Sequence, residues 1–313
     1  MPKVSVIIPT CNRAKLVERA IKSVLDQTYR DFEILVSDDG SADDTSQVVV
    51  GFSDKRIRFR PYNNNNGVAV LRNHAVKNSN GKYIAFLDDD DEWLPSKLEK
   101  QIRLLEGSPD KLGAIYTGVT SLDDRPGRIL EIKIPQHRGN ILQDLLLNNF
   151  ITTSSIIVKK HCFDEVGLFD TEYLSASDND MWIRIAEKFE FDYVGEPLVN
   201  YYNTPISISR DNIKAIKGLE RLMTKHYQLF SLNNRVFSNH RFKIGIAYCY
   251  SGNLKEGRKA LISAGKFYPL DMRIYYNFII SLLGYSAFIK IKALKKSIIQ
   301  YVHILLIGAD TKS

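Results

Sequence analysis

The sequence predicts an α/β fold with a mostly parallel central sheet, followed by a helical C-terminal segment. Through residues 1–110, short apolar runs of strand length alternate with stretches of helical period, the pattern of a parallel sheet with crossover helices. Polar clusters close three of these runs, at the strand ends where an open parallel sheet collects its ligands. The 313 residues, 44% of them hydrophobic, suffice for one large core or two modest ones. No internal repeat, low-complexity tract or long linker interrupts residues 1–210.

Residues 4–8, Val-Ser-Val-Ile-Ile, form the first strand. Leu16, Ala20, Ile21, Val24 and Leu25 then recur at helical spacing over residues 14–27, and residues 32–36 supply a second strand. Ser41 to Asp44 can cap a helix over residues 45–52, and residues 57–60 read as a third strand. A polar loop at 63–67 leads into a helix at 68–78, and a fourth strand at 83–87 delivers the most informative feature of the chain. Strand pattern recurs at 113–119 and 155–158, on either side of a loop-rich region containing Pro126, Gly127, Pro135 and Gly139.

That feature is four consecutive carboxylates, Asp88, Asp89, Asp90 and Asp91, at the end of an apolar run. Like charges repel and carboxylates are rarely buried unpaired, so folding alone gives no reason for them. At a strand end they suit a divalent cation and the phosphate that accompanies it. If strand alternation persists, Asp88 and Asp90 project to one side and Asp89 to the other. A solvated acidic loop, or the start of a helix containing Trp93 and Leu94, is the plainer alternative. The first strand ends in Pro9-Thr10-Cys11-Asn12 and the second in Ser37-Asp38-Asp39-Gly40-Ser41, so three polar clusters converge on one crevice. Neither a Gly-x-Gly-x-x-Gly turn nor a P-loop is present, which argues against a dinucleotide fold and a P-loop ATPase. Nucleotidyl transfer to a sugar phosphate would want a Gly-rich basic loop after the first strand, which residues 9–12 do not supply.

The net charge of +7 conceals a division. Residues 211–313 carry 17 Lys and Arg against 5 Asp and Glu, a balance of +12, whereas residues 1–210 carry 26 against 31. The basic part lacks zinc-finger spacing or a recognition-helix signature, so nucleic acid is not the expected partner, and an anionic membrane surface or lipid-linked phosphate fits at least as well. Cys11, Cys162 and Cys249 have no metal-ligand spacing and support no disulfide framework, which points to a reducing, cytoplasmic setting. The initial apolar run is too short for a signal peptide and reads as a core strand.

Six pieces together resemble the family 2 glycosyltransferases, inverting nucleotide-sugar-dependent enzymes of the GT-A fold. They are residues 4–13, 23–29 and 33–41, Arg72-Asn73, Phe86 to Asp91, and Ser177 to Arg184, in the family's order and spacing over about residues 3–205. The resemblance implies a GT-A catalytic domain over residues 1–210, with a donor half to about 110 and an acceptor half from 111. It implies that Pro9, Thr10 and Asn12 border the nucleotide pocket and that Asp39 recognises uracil or another base. A carboxylate can accept a ring N–H; an Asx turn with Gly40 that helps cap the following helix is the alternative for Asp38 and Asp39. Arg72 resembles an arginine near the nucleotide, or else pairs with an acidic loop.

Within the Asp-x-Asp motif, the resemblance makes Asp90 the main protein ligand of Mn²⁺ or Mg²⁺, places Asp88 near the donor ribose and sugar, counts Asp89 with the donor-binding group, and has Asp91 support the loop. Asp178 aligns with the family's base and Asp180 is the fallback, although Ser177 replaces the usual Glu. Arg184 can hold Asp180 at i,i+4. Thr153 and Ser154 lie in the stretch that approaches the acceptor, where their hydroxyls bind a sugar or satisfy local backbone. The implied reaction is sugar transfer from a nucleotide diphospho-sugar, UDP-sugar foremost, to a saccharide or lipid-linked acceptor in surface polysaccharide or lipopolysaccharide synthesis. A non-catalytic sugar-nucleotide-binding or scaffold protein of the same fold is the alternative.

Residues 211–313 read as a basic helical accessory region. Residues 241–267 look like one helical hairpin of the tetratricopeptide type about Ser251-Gly252-Asn253. Residues 275–307 interleave apolar side chains with Lys290, Lys292, Lys295 and Lys296, which break any membrane span. That stretch suits an interfacial helix on the inner face of a membrane, a homodimer contact, or the last helices of the accessory bundle.

Overall fold

The computed structural model describes residues 1–63, 66–123, 128–203 and 211–295, which fall into two compact units, one within 1–207 and the other within 208–313. The first unit is built on a nine-stranded sheet in the order β3-β2-β1-β4-β8-β6-β9-β5, with β7 paired to β6. Its donor side is parallel throughout: β1 (Val4–Thr10) lies between β2 (Phe32–Asp38) and β4 (Tyr83–Phe86), and β3 (Ile57–Pro61) closes the edge. All seven residues of β1 and of β2 are buried, as expected of strands covered on both faces. Crossovers α1 (Ala14–Leu25), α2 (Thr45–Gly51) and α3 (Val68–Asn78) join them. Val17, Ala20, Ile21 and Val24 of α1 face the core formed with Val4, Val6, Ile34 and Val36.

Beyond β4 the sheet is mixed. β5 (Glu92–Trp93) and α4 (Lys97–Leu105) follow the acidic run, and β6 (Leu112–Leu122) is the longest strand so far. β7 (Ile129–Lys133), α5 (Leu142–Leu147) and a 3₁₀ turn at Thr153–Ser155 lead to β8 (Ile157–Lys159), which runs antiparallel to both β4 and β6. α6 (His161–Val166), α7 (Ser177–Lys188) and the 13-residue β9 (Glu190–Tyr202) complete the unit, with β9 parallel to β6. β5, β7 and β9 were not among the expected strands, and the 155–158 strand begins later because Thr153–Ser155 takes up a turn.

The second unit is helical: α8 (Asn212–Lys225), α9 (Tyr227–Ser231), α10 (Asn234–Tyr250), α11 (Leu254–Phe267), α12 (Met272–Leu282), and a further helical stretch at 285–295. α10 and α11 form the expected hairpin. Two glycines let their backbones meet: a Cβ on Gly257 would lie 2.5 Å from Cys249 Sγ and 3.0 Å from the Gly245 carbonyl. Ile274, Ile280 and Phe288 bury against Cys249, Leu261 and Ala264, so part of the 275–307 stretch packs internally. Lys292 donates to Asn277 Oδ1 at 3.1 Å, whereas Lys296 lies outside the described residues. On α12, Met272, Tyr275, Ile279 and Leu282 form an exposed apolar stripe at helical spacing. No helix among the described residues is long and apolar enough to cross a membrane.

Candidate active site

The three polar clusters meet because the strands that carry them are neighbours in register. Thr10 stands opposite Asp38 across β1 and β2, and the Leu87 N–H donates to the Ile7 carbonyl across β1 and β4 at 3.0 Å. Pro9 stands opposite Ser37 within the buried strand, which continues to Thr10. Asn12 takes a left-handed backbone (φ 53°), which asparagine tolerates better than most residues. Its N–H donates to Ser41 Oγ at 2.7 Å and its Oδ1 accepts from the Ala42 N–H at 2.7 Å. Asn12 thus staples the first loop to the second.

Asp38 accepts from the N–H and hydroxyl of Ser41, the expected turn. Asp39 does not cap α2. It reaches across to α3 instead, where Oδ1 accepts from the Asn66 N–H at 2.8 Å and Oδ2 from the Gly67 N–H at 2.9 Å. This fixes the buried Asp39 carboxylate in an orientation set by two backbone donors.

The acidic run keeps its alternation. The side chains of Asp88 and Asp90 are 34% and 15% exposed, whereas that of Asp89 is 6% exposed and Asp91 is fully buried. Each is held by groups from elsewhere in the chain. Asp88 pairs with Arg72, the acidic-loop partner that was the alternative for that arginine. Asp89 accepts from Thr10 Oγ1 at 2.7 Å and from Arg13 Nη1 at 2.8 Å. Burial pushes the Asp89 carboxyl up to about 6, with Arg13 and Thr10 opposing. Asp90 lies 3.2 Å from the same Arg13 nitrogen, and its carbonyl accepts from Arg19 Nη2. Arg19 stacks over the Tyr202 ring at 3.7 Å, and its Nε is buried with no hydrogen-bond partner.

Among the described residues, no cation pairs with Asp91. Its Oδ2 accepts from Ser154 Oγ at 2.5 Å and its Oδ1 from the Tyr202 N–H at 3.3 Å, and burial together with Asp88 and Asp90 pushes its carboxyl well above the usual range. The Ser154 hydroxyl also accepts from the Asp88 N–H at 3.1 Å, and the Ser154 carbonyl from Trp93 Nε1 at 2.7 Å. Ser154 is fully buried and Thr153 nearly so. Ser154 therefore braces the acidic loop, which is the backbone-satisfying alternative for these hydroxyls.

α7 presents Asp178 in its first turn, next to Ala176, which holds a left-handed conformation (φ 66°) at the N-cap. A non-glycine residue in that region costs about 1–3 kcal/mol and needs its surroundings to hold it. Asp178 is half-buried and accepts from Asn149 Nδ2 at 3.3 Å. Burial raises its carboxyl; Arg72 and the Asn179 N–H pull it down and Asp88 pushes it up, so Asp178 shares one electrostatic neighbourhood with the Arg72–Asp88 pair. Asp180 is different. It is fully buried, bonded by Arg184 Nε at 2.9 Å and by Tyr173 at 3.4 Å, while Arg184 also donates to the carbonyls of Val166, Gly167 and Leu168. These bonds hold the α6–α7 connection and leave the fallback base facing the core.

Among the described residues, no group of three or more His, Cys, Asp or Glu side chains is gathered to hold a metal ion. What the crevice offers is hard oxygen from the two outward carboxylates, Asp88 and Asp90, within a ring of three arginines. Mg²⁺ and Mn²⁺ sites of this kind use one or two carboxylates and take the remaining ligands from substrate phosphate and water, so the residues fit such an ion. Sequence reasoning missed Arg13, Arg19 and Tyr202 as parts of the site, since only folding brings them to the acidic run.

Polar loops at the ends of parallel strands, with Asp88 and Asp90 facing outward and Asp39 held by two backbone N–H groups, suit an α/β enzyme that binds a phosphate-bearing ligand. The description Glycosyl transferase family 2 matches residues 5–167, and the chain belongs to that family; it is a nucleotide-sugar-dependent glycosyltransferase. It is 27% identical over 274 residues to an uncharacterized glycosyltransferase of Rickettsia typhi, covering 85% of this chain and 86% of that one. It is 31% identical to the putative teichuronic acid biosynthesis glycosyltransferase TuaG of Bacillus subtilis, over 69% of this chain and 85% of that one. A 102-residue stretch is 45% identical to the Escherichia coli UDP-Glc:α-D-GlcNAc-diphosphoundecaprenol β-1,3-glucosyltransferase WfgD, covering 33% of this chain and 40% of that one. The match spans 58% of a Rickettsia prowazekii relative and 31% of one from Rickettsia conorii. In fold, the chain is similar to S. aureus TarS 1-349 in complex with UDP-GlcNAc (TM-score 0.63, 17% identity, 85% of this chain and 80% of that one). It is likewise similar to the mannosyltransferase PcManGT of Pyrobaculum calidifontis (TM-score 0.62, 17% identity, 96% and 85%).

Proposed function

We propose that the protein transfers a sugar from a UDP-sugar, with inversion, to a hydroxyl of a saccharide or lipid-linked acceptor during construction of a cell-envelope polysaccharide. The observation that carries the reading is Asp178: a half-buried carboxylate with a raised pKa, on a helix start, next to the Arg72–Asp88 pair that lines the donor crevice. Asp39, held by the Asn66 and Gly67 N–H groups, receives the base, and the loop stapled by Asn12 borders the nucleotide. Asp88 faces the ribose and sugar. Asp90 would hold Mn²⁺ or Mg²⁺, which when bound would supply positive charge to offset that on the departing diphosphate. Asp178 takes the proton of the acceptor hydroxyl as it attacks from the opposite face, and burial, by raising its carboxyl, strengthens it as a base.

The name of WfgD supports a UDP-sugar donor and a lipid-linked acceptor, and that of TuaG, a teichuronic acid biosynthesis enzyme, supports a role in polysaccharide construction. The +12 balance of residues 211–313 and the exposed apolar stripe of α12 support contact with an anionic membrane that would hold such an acceptor. On this reading the enzyme works at the inner face of the membrane. The test is Asp178→Asn, which nearly preserves shape. UDP affinity should persist while transfer, or donor hydrolysis in the absence of an acceptor, falls by about 10²- to 10⁴-fold. Unchanged turnover in Asp178→Asn would reject Asp178 as the base.

A further inference from the structure

Arg13 stands where the proposed cation has to arrive. It precedes α1 and places Nη1 2.8 Å from Asp89 Oδ1 and 3.2 Å from Asp90 Oδ2, so one nitrogen spans an inward and an outward carboxylate. The two contacts are not equivalent. Asp89 is buried, is fixed on its other oxygen by Thr10 and gives the shorter contact; Asp90 is more exposed and gives the longer one. Loss of the Asp90 contact therefore leaves Arg13 anchored, whereas loss of the Asp89 contact would strand a buried charge. Arg19 adds a second cation behind Asp90, donating to its carbonyl.

We propose that Arg13 is a positioning residue that occupies Asp90 in the donor-free protein and yields it only to a divalent cation accompanied by a nucleoside diphosphate. The proposal rests on Asp90 as the metal residue. A guanidinium and a divalent cation compete for one carboxylate and repel each other at this range, so a bare ion is disfavoured. A diphosphate brings the negative charge that offsets the repulsion and offers the Arg13 guanidinium an anionic acceptor in place of Asp90. Cation and nucleotide then bind with positive coupling, which by linkage is the same whichever binds first.

The experiment is calorimetric titration of Mn²⁺ into the full chain, with and without saturating UDP, for wild type, Arg13→Gln and Arg13→Lys, each checked for folding by thermal unfolding. Wild type should bind bare Mn²⁺ weakly and gain strongly with UDP. Arg13→Gln should tighten bare Mn²⁺ by about 5-fold or more and shrink the coupling by the same factor. Arg13→Lys keeps the charge and should keep the exclusion of bare ion; this arm also decides the matter if the Gln variant fails to fold. Bare-ion affinity unchanged in Arg13→Gln, or raised in Arg13→Lys as much as loss of the charge predicts, overturns the proposal while Mn²⁺-dependent UDP binding by wild type keeps Asp90 in place. Wild-type UDP binding without any Mn²⁺ dependence rejects both the Asp90 reading and the role of Arg13.

Discussion

Replacing Ser154 by alanine should destabilise the catalytic unit far more than an ordinary serine substitution. The hydroxyl is fully buried and serves two groups at once, donating to the Asp91 carboxylate at 2.5 Å and accepting from the Asp88 N–H at 3.1 Å. Each buried group left without that partner costs about 1–3 kcal/mol, which places the total at about 2–6 kcal/mol. For a unit of this size, at about 2–4 °C per kcal/mol, that is a fall in melting temperature of about 4–24 °C. The cost should also depend on pH. The Ser154 bond lowers the pKa of Asp91 against burial, which raises it. Removing it raises the folded-state pKa further. A group with a raised folded pKa gives stability that is fully present below its unfolded pKa and lost as pH rises through the folded value, so the alanine penalty should be smaller in acid and grow toward neutral pH. Urea unfolding of both proteins across pH 4 to 8 measures this. A difference below about 0.5 kcal/mol at pH 7, or one that shrinks as pH rises, would refute the bracing role.

Asp89, pushed up to about 6, should make stability fall by about 3 kcal/mol as pH rises from the unfolded value near 4 through 6, and the difference profile against Asp89→Asn should show that slope. Gly257→Ala should destabilise the helical unit by about 1–3 kcal/mol, because its new methyl meets Cys249 Sγ and the Gly245 carbonyl; adding Cys249→Ala should recover part of the loss, and urea unfolding of the four proteins of that cycle measures the coupling.

The parallel half of the sheet was legible because β1, β2 and β4 are short, mostly apolar runs bounded by polar clusters, and α1 separates the first two at helical period. β9 was not legible. Its 13 residues include Gly195, Glu196 and Pro197, which break any period-2 pattern, and its pairing with β6 shifts register about Gly118 for that reason. β8 was placed approximately, but nothing in its three residues, Ile157, Val158 and Lys159, states that they run antiparallel. In the site, alternation along the acidic run predicted which carboxylates face outward. It could not predict what neutralises them: Arg13 and Arg19 are more than 70 residues from Asp90, and the Tyr202 N–H lies 111 residues from Asp91. Asp39 illustrates the same limit. Local turn chemistry pointed to α2, and the carboxylate instead meets the start of α3.

The account turns on Asp90 carrying a cation that holds the donor diphosphate. Calorimetric titration of UDP with and without Mn²⁺, into wild type and Asp90→Ala, tests this most directly. Wild type should bind UDP more tightly with Mn²⁺ than without, and Asp90→Ala should lose that gain while keeping the metal-independent affinity supported by Asp39. Metal-stimulated UDP binding of wild-type strength in Asp90→Ala would contradict the account.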